Sequence, residues 1–71
     1  MYPNPTSGRV VLLFQQPAKR TLRVYSIRGK LLQKVDMLDE QFEFEISEEP
    51  GVYLIEVEEG GRKSFSRIIK T

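Results

Sequence analysis

The stretch Gln41-Phe42-Glu43-Phe44-Glu45-Ile46 decides the fold class. Successive side chains of an extended strand point to opposite faces, so Phe42, Phe44 and Ile46 share one face and Gln41, Glu43 and Glu45 the other. A strand packed on one side and wetted on the other is the signature of an antiparallel sheet. Towards the C-terminus, Pro50-Gly51 opens a second strand over Val52–Glu58, with Tyr53, Ile55 and Val57 on one face. Gly60-Gly61 then reads as a two-residue hairpin turn, because both positions tolerate positive φ. The last strand is expected over Lys63–Lys70; Phe65 and Ile69 take one side and Ile68 the other, which leaves room for a bulge.

Working towards the N-terminus, Thr21–Tyr25 and Leu31–Val35 flank a turn at Arg28-Gly29 and are expected to form a hairpin. Arg9–Phe14 is a further strand, with Val10, Leu12 and Phe14 on one face. Before it, Pro3, Pro5 and Gly8 break any regular element, and each Pro holds the residue before it, Tyr2 or Asn4, extended. All four Phe and Tyr53 are assigned to core faces, leaving Tyr25 as the most exposed ring. No window carries a helical period. The expected fold is all-β: a small antiparallel, immunoglobulin-like β-sandwich of about six to seven strands, with a small open barrel as the other arrangement.

Seventy-one residues make one domain with a thin core, since a chain this short buries only about 60% of the surface it exposes when unfolded. There is no cysteine, hence no disulfide staple and no thiolate metal site. The net charge of +1 argues against a basic nucleic-acid binder. Charge is nevertheless segregated: residues 36–49 carry acids and no Lys or Arg, and the last ten residues carry Arg62, Lys63, Arg67 and Lys70 and no acid. The longest apolar runs, Val10–Phe14 and Val52–Ile55, fall far short of the roughly 20 residues of a membrane-spanning helix, so no membrane insertion is expected. The N-terminus lacks the pattern of a secretory signal peptide, and Met1 is expected to be a start residue added to a fragment.

Catalysis is not expected. Without His or Cys the commonest base, nucleophile and zinc ligand are all missing. Ser26, Ser47, Ser64 and Ser66 stand at no spacing that orients a lysine on them, and Glu43 with Glu45 is the wet face of a strand rather than a glycosidase pair. Asp36, Asp39 and Glu40 cluster as hard oxygen ligands but lack the calcium-loop pattern and its central Gly. Gly60-Gly61 leads into a strand, not the helix of a phosphate-binding loop. No cofactor and no metal are expected.

Four segments, in order and in register over the whole chain, carry a resemblance. They are Tyr2-Pro3-Asn4-Pro5-Thr6-Ser7-Gly8, Val24-Tyr25-Ser26-Ile27-Arg28-Gly29-Lys30, Pro50-Gly51-Val52-Tyr53-Leu54-Ile55-Glu56-Val57 and Arg67-Ile68-Ile69-Lys70. Together they resemble the C-terminal sorting domain, type A, of the type IX (Por) secretion system of Bacteroidota. Ser26 stands where that family usually has Asp or Asn, and Glu49 where a Leu-type residue is frequent before Pro50.

The resemblance implies a single domain over residues 1–71 that ends a larger exported protein. Its upstream cargo would cross the inner membrane by an ordinary signal peptide, pass through the periplasm and be exported across the outer membrane by the type IX machinery. A sortase-like surface peptidase would then remove the domain, leaving the cargo attached to the cell surface or released. Arg67, Ile68, Ile69, Lys70 and Thr71 are expected to be recognised, at a strand edge that offers backbone groups and basic side chains. Pro3, Asn4, Pro5 and Gly8 would set the entry turn, Gly29 and Gly51 hairpin geometry, and Tyr53 the core. The competing reading is an adhesive or carbohydrate-binding sandwich of a surface enzyme, against which stands the lack of exposed aromatic rows.

Overall fold

The computed structural model describes residues 1–71. Its strands are β1 (Arg9–Leu13), β2 (Arg20–Ser26), β3 (Leu31–Met37), β4 (Gln41–Glu45), β5 (Gly51–Glu59) and β6 (Arg62–Lys70), with no helix. They form two separate antiparallel sheets, β1-β4 and β3-β2-β5-β6, so the arrangement is a sandwich and not a barrel. Two local hairpins, β2–β3 and β5–β6, build the outer pairs of the larger sheet. The Gly60-Gly61 turn closes the second with φ of +57° and +82°, the mirror-image backbone that matches strand twist. The remaining connections cross between sheets, which gives each layer an apolar face to bury against the other.

The core follows the alternation of the sequence. Val10, Leu12, Phe44 and Ile46 come from β1, β4 and its end; Leu22, Val24, Met37, Tyr53, Ile55 and Ile68 come from the larger sheet. Phe42 and Phe14 are half-buried against this cluster. The Phe42 and Phe44 rings lie 6.5 Å apart, nearly parallel. Each fully buried aliphatic side chain contributes about 1.5–3 kcal/mol, a large share of what a domain of this size holds.

Three expectations need correction. β6 pairs with β5 residue for residue from Glu59↔Arg62 to Gly51↔Lys70 without a bulge, and the irregularity lies between Val24 and Tyr25 on the β2–β3 side. Phe65 is not a core residue. The register places Ile68, Ser66 and Ser64 opposite Tyr53, Ile55 and Val57 on the inner face, so Phe65 falls opposite Glu56 on the outer face and is 63% exposed. Gly51 makes no hairpin, because the loop before it carries the chain from β4 in one sheet to β5 in the other.

Charged side chains finish the larger sheet. Arg23 reaches Glu56 and Glu58 across the outer face, at 2.5 and 2.7 Å. Arg20 is buried with its guanidinium 3.8 Å from the centre of the Phe14 ring; its Nε donates to Glu59 at 2.7 Å and its Nη2 to the Gln16 carbonyl at 3.1 Å. A cation over an aromatic face is favourable when both are desolvated, and this one seals the end of the sandwich opposite the site described next.

Candidate functional site

Thr6 is buried, and its position explains the N-terminal segment. Its N–H donates to the Ile69 carbonyl at 2.8 Å, and its own carbonyl accepts from the Thr71 N–H at 2.8 Å. Its hydroxyl donates to the Arg9 carbonyl at 2.6 Å and accepts from the Gly8 N–H at 3.0 Å, a local turn of the kind Thr and Ser favour. Two residues earlier, the Asn4 carboxamide accepts from the Ile69 N–H at 3.0 Å and donates to the Arg67 carbonyl at 3.1 Å. The peptide bonds before Pro3 and Pro5 are cis.

The same segment grips the smaller sheet. Tyr2 exchanges backbone hydrogen bonds with Val11, at 2.9 and 2.7 Å, and the Gly8 carbonyl accepts from the Ile46 N–H at 2.8 Å. Gly8 has φ of +143°, and a Cβ there would stand 3.2 Å from the Ile46 carbonyl oxygen. Tyr2–Gly8 is therefore a seam that joins β1 and the end of β4 to the terminal half of β6.

The other resemblance segments meet at this pole. Lys70 pairs with Gly51 across the sheet, and its ammonium donates to the Glu48 carbonyl. Tyr53, buried, donates its hydroxyl to the Glu49 carbonyl. Burial, with the nearby Glu48 and Glu49 carboxylates, holds its phenol above the ordinary value of 10.0. Ser26 pairs with Tyr53 and organises the next turn: the Gly29 N–H donates to its carbonyl at 2.9 Å and the Lys30 N–H to its hydroxyl at 3.1 Å. Between this turn and the Glu49–Val52 stretch lies an open cleft of about 430 Å³, floored by Tyr53 and bordered by Ile27 and Arg28.

The five residues expected to carry recognition are thus placed unequally. Ile68 is fully buried and belongs to the core. Arg67 and Ile69 present their side chains to solvent, Lys70 is half-buried, and Thr71 is tied to Thr6. The backbone edge that was expected to be open over these residues is occupied by Asn4 and Thr6. Pro3, Pro5 and Gly29 border the pole, and Tyr53 is buried in the core. The turn over Thr6-Ser7-Gly8 is legible in the sequence, whereas the backbone bonds of Thr6 to Ile69 and Thr71 leave no sequence signal. Asp36, whose cluster lacks the calcium-loop pattern, accepts from the Thr21 hydroxyl at 2.9 Å and serves the β2–β3 pair.

No curated protein and no solved structure matches this chain. The model of one family, the secretion system C-terminal sorting domain, matches residues 1–71. The chain belongs to that family, and it is a sorting signal of the type IX secretion system, made to engage that machinery on behalf of a linked cargo exported across the outer membrane.

Proposed function

We propose that the machinery reads the pole at which the four segments converge, with Arg67, Ile69, Lys70 and Thr71 as the side chains presented and Asn4, Gly8, Gly29, Gly51 and Tyr53 holding them in place. The convergence carries this reading: segments far apart in the chain are brought together by the Asn4 and Thr6 hydrogen bonds to β6 and by the Gly51↔Lys70 and Ser26↔Tyr53 pairs. The domain closes a longer exported protein and does no chemistry itself. After passage through the outer membrane a sortase-like surface peptidase removes it, and the cargo is anchored at the surface or released.

The test is a periplasmic reporter fused ahead of residues 1–71 in a bacterium with a type IX system. The intact fusion is expected at the cell surface or in the medium. Removing Ile69–Thr71 is expected to trap the reporter in the periplasm. An Arg67→Glu variant, which changes only an exposed side chain, is expected to reduce export while the domain stays folded. Normal display of both variants would refute the reading.

A further inference from the structure

We propose that the open half of the β6 edge, centred on Lys63 and Phe65, receives an extended segment of a partner protein whose side chains alternate acidic and apolar. β6 pairs with β5 on one side, and on the other side its one backbone bridge is to Thr6. Ile69 turns both its N–H and its carbonyl to the N-terminal segment, and the Arg67 carbonyl points the same way. With a period of two along a strand, Phe65 and Lys63 direct their N–H and carbonyl groups to that side too. No strand meets them there, and Arg62–Arg67 are all exposed. An unpaired edge of this kind is a template for strand addition.

Side chains give the partner's chemistry. A strand added beside β6 would turn alternate residues inward, next to Ser64 and Ser66. These small side chains leave a groove of about 510 Å³ whose wall is apolar at Leu12, Leu13, Phe14 and Val57, with Met1, Glu59 and Arg62 also lining it, so apolar groups fit beside Ser64 and Ser66. The intervening residues would turn outward, next to Lys63, Phe65 and Arg67. Neither Lys63 nor Arg67 has a carboxylate within ion-pair distance: Glu58, opposite Lys63, is held by Arg23, and Leu54 stands opposite Arg67. Acidic residues on the incoming strand would complete both. A second copy pairing through the same edge would bring like charges together, which is unfavourable. The inference does not depend on the sorting role; it is centred on Lys63 and Phe65 and shares only Arg67 with the recognition pole.

The experiment uses the purified chain and a synthetic Glu-Val-Glu-Val-Glu-Val-Glu peptide, read by amide exchange and by titration. Slowed exchange at the Lys63 and Phe65 amides is expected, with binding that weakens as salt screens the charges. Lys63→Glu is expected to weaken binding by about tenfold or more, the effect of losing one well-placed charged contact. Phe65→Pro removes an outward N–H and no ladder bond, which edges tolerate, and is expected to abolish binding. No protection at saturating peptide, equal binding of a Lys-Val peptide of the same length, or unchanged binding to Lys63→Glu would overturn the proposal. Concentration-dependent self-association that protects the same amides would also overturn it, by making a second copy the occupant.

Discussion

Asn4 and Ile69 lie 65 positions apart in the chain, and the Asn4 side chain accepts the Ile69 N–H at 3.0 Å while donating to the Arg67 carbonyl two residues away. A single carboxamide thus stands in for one peptide unit of a neighbouring strand. It presents one donor and one acceptor at the spacing a β edge requires. An Asn4→Asp variant keeps the acceptor and loses the donor. The expected cost is about 1 kcal/mol, the usual worth of such a bond. That corresponds to roughly 4–8 °C in melting temperature for a domain of this size, with faster exchange of the Ile69 amide.

Gly8 permits the seam to close. In a Gly8→Ala variant the new methyl meets the Ile46 carbonyl, and the backbone sits at a φ of +143° that L residues rarely adopt. The expected destabilisation exceeds about 1 kcal/mol, read by urea denaturation. An unchanged midpoint would show that the seam relaxes without loss.

Ile68 and Ile69 are adjacent but differ in environment: one is fully buried and the other 42% exposed. Ile68→Ala is expected to cost about 2–5 kcal/mol, the range for truncating a buried aliphatic residue, and to leave the domain largely unfolded. Ile69→Ala is expected to stay within about 1 kcal/mol of the native protein. Equal effects would contradict the face assignment of β6.

The Arg23 guanidinium hydrogen-bonds Glu58 and holds its carboxyl below the ordinary value of 4.5. A depressed carboxylate stabilises the fold fully above its unfolded value, and that stability is lost as pH falls through the folded value. The contribution of this pair is therefore expected to disappear in acid below about pH 4.5. Glu58→Gln is expected to flatten that part of a stability curve and to leave the slope near neutral pH unchanged. Identical acid slopes for both proteins would contradict the pairing.

The strands were legible in the sequence because period-two patterning and Gly or Pro punctuation act locally. Gln41–Ile46 buries Phe44 and Ile46 as its alternation requires, and Gly60-Gly61 sets the β5–β6 register from the turn alone. What a face packs against is not local. Phe65 shares a side with Ile69, but the sequence does not say that this side of β6 is the outer one. The pairing of β1 with β4 joins segments about thirty residues apart through matching alternation only. The Asn4 contacts were hidden for a different reason: a side chain imitating a backbone leaves no periodic trace. The four segments pointed to the site, while their meeting at one pole emerged only from the topology.

The most direct test compares two double variants of the exported reporter fusion, both confirmed to melt near the native temperature. Arg28→Ala with Arg67→Ala removes two exposed cations at the pole where the segments converge. Lys19→Ala with Lys34→Ala removes two exposed cations away from it. Surface display is expected to collapse for the first pair and persist for the second. Equal display of both would contradict a sorting signal read at that pole.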